Sequence, residues 1–297
     1  STIVGLVACL LLLVIAARRR VMSQGSGGQD DNTTGHVWDV DLRELNNPLP
    51  RWWMVLFVVT VVFSVIYLWL YPGLGSAKGS LNWTSTGQYE AEQARARAAI
   101  APLYARFAAM DEKQLAADVQ AMAIGERLFI NNCAACHGSD GRGSKGFPNL
   151  TDSDWLWGGS FADVQKTITE GRNGVMPPMA EAIGGGDNVR NIAQYVLSLA
   201  GSPHDSVAAQ LGKPKFAVCA ACHGPEGKGN PAVGAPNLTD KVWLHGWGEE
   251  AIAAMVNNGK NNAMPAQASR LTPEQIRVLA AYVLRLSQGT TKVAANP

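Results

Sequence analysis

The sequence predicts a mainly α-helical chain in three parts: two membrane spans, a helical connection, and two small helical repeats in tandem. Three observations carry that prediction. The apolar residues gather in two runs before residue 72, the second half of the chain repeats itself, and four of the five cysteines fall in two identical clusters, one per repeat. Small helical repeats with little aliphatic core of their own need something large to fold around.

The first run, Thr2 to Ala17, is 16 residues long and ends in Arg18-Arg19-Arg20. At about 1.5 Å per residue it is slightly short for a hydrocarbon layer of about 30 Å. A signal peptide carries its positive charges before the apolar stretch, not after it, so residues 1–17 are expected to be a membrane helix. The chain starts at Ser1 without a methionine, which leaves room for residues upstream. The second run, 52–71, is interrupted only by Thr60 and Ser64 among plainly polar residues, and Trp52, Trp53, Tyr67, Trp69 and Tyr71 stand near its ends as interfacial anchors. Between the runs lie Arg18, Arg19, Arg20, Arg43 and Arg51, whereas residues 72–90 hold only Lys78. The positive-inside rule therefore places the 18–51 loop in the cytoplasm and everything after Pro72 outside. His36 in that loop reads as a solvated bystander, and Cys9 in the first run as a buried apolar filler.

Residues 72–123 form the connection. From Gln88 to Met122 it is rich in Ala, Glu and Arg, and Pro102 is expected to start a new helical segment. The repeats follow at 124–201 and 206–289, joined by a flexible Ala200-Gly-Ser-Pro-His204 linker. Net charge is +1 with 16% charged residues, so no global electrostatic argument favours nucleic acid as a partner.

The repeat is explicit. Cys133-Ala-Ala-Cys136-His137-Gly138 reappears as Cys219-Ala-Ala-Cys222-His223-Gly224, and Pro148-Asn-Leu-Thr-Asp152 as Pro236-Asn-Leu-Thr-Asp240. Trp155, Gly171, Met176-Pro177 and Tyr195 match Trp243, Gly259, Met264-Pro265 and Tyr282. The closing helices are expected near Asn188–Leu199 and Pro273–Leu286 from apolar spacings of three and four.

Cys-x-x-Cys-His is the attachment signature of c-type haem. Two thiols within one helical turn reach both vinyl groups of one porphyrin, and the adjacent histidine supplies the proximal nitrogen. A methionine sulfur usually closes the other axial position and raises the reduction potential. The expected cofactors are thus two covalently bound haem c groups with their iron. Cys133, Cys136, Cys219 and Cys222 are the attachment points, His137 and His223 the proximal ligands, and Met176 and Met264 the candidate distal ligands. Met179 rivals Met176 but pairs with Gln267 in the repeat register, whereas Met176 and Met264 pair with each other. His245 faces Trp157 in that register and reads as a rim histidine, and His204 as a linker residue. Trp155, Trp157, Trp243 and Trp247 read as packing aromatics. Zinc held by both cysteine pairs, or a thioredoxin-like redox pair, leaves the histidines and Met-Pro loops unexplained. Haem attachment of this kind is completed outside the cytoplasm, in agreement with the arginine asymmetry.

Asn47-Pro-Leu-Pro-Arg51-Trp52-Trp53, the apolar span, Tyr71-Pro-Gly73 and two Cys-x-x-Cys-His domains together resemble the dihaem subunit, subunit III, of cbb3-type cytochrome c oxidases. The resemblance covers essentially the whole chain from about residue 30. It implies two N-terminal transmembrane helices followed by two tandem class I cytochrome c domains. The chain would be a multi-pass protein of a bacterial inner membrane, in contact with lipid, with its haem domains in the periplasm. It further implies an electron-transfer subunit with no catalytic site of its own, in a proton-pumping complex that reduces oxygen to water. Its partners would be the catalytic haem–copper subunit, a monohaem cytochrome c subunit and a soluble or membrane-bound cytochrome c donor. Ligation within each repeat and ligation across repeats both stay open. The alternatives are a free-standing membrane-anchored dihaem donor and a dihaem peroxidase. Residues 125–200 hold six basic and eight acidic side chains, and residues 211–288 eight and five, so the two repeats are expected to face different partners.

Overall fold

The computed structural model describes residues 2–18, 33–45, 50–73 and 75–293. These fall into two compact units, 1–99 and 100–297. Arg19, Arg20, most of the Gly- and Ser-rich loop and the Asn47–Leu49 part of the family motif lie outside the described residues.

The first unit begins with α1, Thr2–Arg18, and contains α2, Arg51–Leu70. Of the two expected spans, only α2 is long and apolar enough to cross a bilayer; α1 carries a shorter apolar stretch, Val4–Ile15. Twenty residues at about 1.5 Å each match a hydrocarbon layer of about 30 Å, and seventeen do not. Apolar side chains along α2, including Val55, Val59, Phe63 and Trp69, are exposed, as expected of a helix whose solvent is lipid rather than a protein core. Cys9 is exposed on α1 rather than buried, because no protein core surrounds that face. Residues 33–45, expected as loop, form an antiparallel hairpin of β1, Thr33–Trp38, and β2, Leu42–Leu45.

A long helix, α3, Ser85–Ala108, runs through Pro102 instead of restarting there. Its alanine-rich surroundings favour helix, and Leu103, Tyr104 and Phe107 beyond the proline pack into the core and offset the lost hydrogen bond. In the second unit α4, Glu112–Ala117, starts from a capping box made by Asp111 and Gln114. Then come α5, Val119–Asn132; α6, Ala134–His137; α7, Phe161–Glu170; β3, Arg172–Met176; and α8, Asp187–Leu199. The second copy contributes α9, Ser206–Gly212; a 3₁₀ turn, Lys213–Phe216; α10, Ala217–His223; α11, Glu249–Asn258; β4, Lys260–Met264; and α12, Pro273–Val293.

The packing exchanges elements between the copies. Helix α12, which closes the second copy, lies against α4, α5 and α7 of the first, while α8, which closes the first, lies against α9, the 3₁₀ turn and α11 of the second. Both crossings use a glycine for close approach. A Cβ on Gly125 would sit 2.7 Å from Tyr282 Cβ, and one on Gly212 would overlap the Asn191 carbonyl. Aromatic pairs repeat the arrangement, Phe129 against Tyr282 at 5.7 Å and Phe216 against Tyr195 at 5.2 Å.

Two buried clusters result. One joins Phe107, Leu115, Phe129, Phe161 and Ile168 to Ile276 and Leu279 of α12. The other joins Ile192, Val196 and Leu197 of α8 to Phe216, Ile252 and Val256. Ala200 and Ser202 are buried and Asp205 N–H donates to Gln194 Oε1 at 2.8 Å, so the expected flexible linker is a packed helix corner.

Candidate haem-attachment sites

Strands β3 and β4 pair antiparallel, with Arg172 opposite Met264, Gly174 opposite Asn262 and Met176 opposite Lys260. Both segments belong to stretches expected as loops before the Met-Pro pairs, and the structure makes them strands instead. In the repeat register Arg172 corresponds to Lys260, Gly174 to Asn262 and Met176 to Met264, so the ladder maps onto itself when the copies are exchanged. That is the signature of a local pseudo-two-fold centred on the Gly174–Asn262 pair. Each strand is entered through a glycine at positive φ, Gly171 (73°) and Gly259 (65°). A Cβ on Gly171 would overlap the Met264 carbonyl, and one on Gly259 would sit 2.5 Å from the Met176 carbonyl, so each glycine admits the other copy's Met-Pro turn.

The consequence for the methionines is direct. Met264 packs against the first cluster, together with Cys133, Ala134, Leu150 and Trp155 of the first copy. Met176 packs against the second, with Cys219, Ala220, Leu238 and Trp243 of the second copy. Met179 joins that second cluster as well, its N–H bonded to the Val256 carbonyl at 2.8 Å.

Each cysteine pair sits on one helical turn. Cys133 closes α5 and opens α6, which carries Cys136, and Cys219 and Cys222 both lie on α10. In each pair the first thiol is half-buried against the core and the second is exposed. Burial, with a smaller contribution from Cys136, pushes the Cys133 thiol up to about 11, and burial likewise raises Cys219. A redox-active dithiol or thiolate nucleophile needs the opposite shift. Among the described residues no three His, Cys, Asp or Glu side chains come together as a metal-holding group, so the zinc ligand set is not assembled.

His137 and His223 are both buried, at 8% exposure, and each Nδ1 lies 3.0 Å from a proline carbonyl, Pro148 and Pro236 respectively. A carbonyl oxygen only accepts, so Nδ1 carries the proton and Nε2 keeps its lone pair for a metal. This is the orienting partner that a ligating histidine requires. The loops deliver those carbonyls: Gly143 N–H donates to the His137 carbonyl at 2.7 Å and Gly229 N–H to that of His223 at 2.8 Å. Two thiols on one turn, an oriented imidazole and a methionine on the same core cluster fit a covalently held haem c in each half.

The remaining candidates take quieter places. Asn262 Nδ2 donates to His245 Nε2 at 2.8 Å, and burial followed by the Lys260 and Lys145 charges lowers the pKa of that imidazole. His36 and His204 are exposed. Trp155 and Trp243 pack on the two clusters, Arg172 stacks on Trp157 at 4.9 Å, and Trp247 is exposed. Sequence reasoning missed the two histidine-orienting carbonyls and the helix-crossing glycines. The repetition of Pro148-Asn-Leu-Thr as Pro236-Asn-Leu-Thr was the available signal for the former.

Comparison with known proteins gives a consistent picture. Residues 30–78 match the family described as the N-terminal domain of cytochrome oxidase-cbb3, FixP. Residues 120–196 and 213–283 match cytochrome C oxidase, cbb3-type, subunit III. The chain is 68% identical over 265 residues to the cbb3-type cytochrome c oxidase subunit CcoP of Rubrivivax gelatinosus, covering 89% of this chain and 87% of that protein. It is 41% identical over 276 residues to the subunit FixP of Azorhizobium caulinodans (87% and 94% covered). Against the FixP of Bradyrhizobium sp. strain ORS 278 it is 40% identical over 276 residues (86% and 95% covered).

Proposed function

The chain belongs to the CcoP/FixP family, subunit III of cbb3-type cytochrome c oxidase, and on that premise we propose that it relays electrons from a donor cytochrome c to the catalytic haem–copper subunit of the same complex. Haem c supplies reversible one-electron chemistry at its iron. The chain's own residues do the rest. Cys133 and Cys136 hold one group and Cys219 and Cys222 the other. His137 and His223 present Nε2 because the Pro148 and Pro236 carbonyls hold Nδ1–H.

We assign the distal ligands across the repeats: Met264 to the group held by Cys133, Cys136 and His137, and Met176 to the group held by Cys219, Cys222 and His223. The observation that carries the assignment is the partition of the two methionines between the two core clusters. Met176 is preferred to Met179 because it alone has a counterpart in the β3–β4 ladder.

Helix α2 anchors the chain in a bacterial inner membrane, with residues 18–51 cytoplasmic and the haem-binding unit periplasmic. Helix α1 is read as a second, shorter crossing that requires local thinning of the bilayer. The complex would contain a monohaem cytochrome c subunit alongside the haem–copper subunit and pump protons while reducing oxygen to water. Solubilising native membranes in mild detergent tests the placement. This chain should co-purify with haem b and copper in fixed ratio to haem c. Recovery of the chain alone would favour a free-standing donor cytochrome.

A further inference from the structure

The hairpin of residues 33–45 has no core of its own. None of its residues is buried, and Val37, Trp38, Val40, Leu42 and Leu45 are exposed, Trp38 to 60% and Val40 to 98%. Trp38 and Leu42 are directly paired across the strands and therefore share one face, and at the open end of the hairpin Thr34 Oγ1 donates to Glu44 Oε2 at 3.0 Å. An isolated two-stranded hairpin is at best marginally stable in water, and this much uncovered apolar surface calls for something to cover it.

Its position narrows the partner. Only residues 46–49 separate Leu45 from Pro50, which precedes the membrane helix α2, so Leu45, the end of the hairpin, stays within about 18 Å of that end of the span. It carries Asp39, Asp41 and Glu44 against Arg43, a local net charge of −2. The cytoplasmic leaflet is anionic and repels such a surface. The cytoplasmic loops of an integral membrane protein are enriched in Lys and Arg and attract it.

We propose that the 33–45 hairpin is a cytoplasmic docking element that seats its Trp38–Leu42 face, with Asp39 and Asp41 at its rim, on a Lys- and Arg-rich cytoplasmic loop of a multi-span subunit of the complex. The inference rests on the cytoplasmic placement of residues 18–51 argued above. It gives that otherwise unoccupied loop a role in assembly, on the opposite side of the bilayer from the redox chemistry.

The test uses the full chain expressed in its native membranes, carrying Cys9→Ser and Val40→Cys so that residue 40 offers the one free thiol once the paired cysteines carry haem. Residues 1–77 contain no lysine, so a short maleimide–succinimidyl cross-linker at residue 40 finds none within that stretch to capture. The expected product joins this chain to a multi-span subunit through a lysine in a cytoplasmic loop. Its yield should fall at least tenfold in a chain that also carries Asp39→Lys and Asp41→Lys, with haem c content unchanged in both.

Capture of an amine-bearing phospholipid or of nothing would overturn the proposal. A cross-link undiminished by charge reversal would do so too. A membrane-impermeant maleimide keeps the two readings apart. Labelling of residue 40 from the outside of spheroplasts would sink the cytoplasmic placement and the docking together. Labelling only from the inside, without the cross-link, would sink the docking alone.

Discussion

The two halves of the second unit are built from the same repeat yet closed differently. The half around His223 is assembled from one continuous stretch, β3 through α11, with α8 and α9 as sequence neighbours. Its polar seam is also local to that stretch: Gln194 donates to Glu249 and takes the Asp205 N–H, while Arg190 reaches both Asp205 and Glu249. The half around His137 is closed by bringing α12, from the end of the chain, back onto α4, α5 and α7. Arg277 of α12 donates to the Met110 carbonyl at 2.6 Å and stacks on Phe161 at 5.3 Å, stitching segments more than a hundred residues apart. Similar copies thus depend on very different parts of the chain, and the comparison can be broken from either end.

The largest expected effect is that of a truncation. Ending the chain at Leu271 removes α12 and with it Ile276, Val278, Leu279 and Val283 of the first cluster. Haem should be lost from Cys133 and Cys136, the cluster farther from the cut, and retained at Cys219 and Cys222. Mass spectrometry of haem-bearing peptides reads this directly. Loss confined to Cys219 and Cys222 would mean that each repeat is closed by its own helix.

A smaller, local effect is expected from Gly143→Ala. Gly143 has φ of 68°, and a Cβ there would overlap the Phe147 carbonyl and lie 2.6 Å from the Pro148 carbonyl that holds His137. Left-handed strain plus displacement of that acceptor should cost about 1–3 kcal/mol. Thermal unfolding should show the loss, and a redox titration should show one perturbed midpoint, that of the His137 half. Gly229→Ala should move the other midpoint instead; an equal shift of both in either variant would contradict the division into halves.

Smallest is a charge effect where the copies meet. Burial raises the pKa of Asp152 and of Asp154 from the usual carboxylate value near 3.8, and Asp240 of the second copy adds a like charge to both. A raised carboxylate pKa means the folded state favours the protonated form. Stability is therefore lost as pH rises from about 3.8 through the folded-state value, and neutral pH carries the full cost. Asp152→Asn should accordingly stabilise the unit at pH 7 and lose that advantage below about pH 3.8, as followed by melting temperature. The amide oxygen can keep the bond now made by Asp154 N–H at 3.0 Å.

Much of this was legible in the sequence, because covalent chemistry and periodicity leave local marks. The paired Cys-x-x-Cys-His clusters marked the candidate attachment sites, the α2 span was plain from length and composition, and α8 follows the expected 188–199 range closely, whereas α12 starts at the expected Pro273 but runs on to Val293, seven residues past the expected end. What could not be read was non-local. Nothing in the Gly- and Asn-rich segments before Met176 and Met264 says that they pair with each other, since a strand made of Arg-Asn-Gly-Val-Met owes its form to its partner. The hairpin at 33–45 was hidden for the same reason, and Pro102 because tertiary packing overrode its local preference.

The crossed ligation can be examined most directly by nuclear Overhauser spectroscopy of the reduced, fully haem-loaded chain with methyl-labelled methionine. The ring-current-shifted methyl that disappears in Met264→Leu should show cross-peaks to the thioether-bridge protons of Cys133 or Cys136, and the one that disappears in Met176→Leu to those of Cys219 or Cys222. Cross-peaks from Met264 to the Cys219 and Cys222 bridges would show that each repeat keeps its own methionine, and the exchange on which this account rests would be refuted.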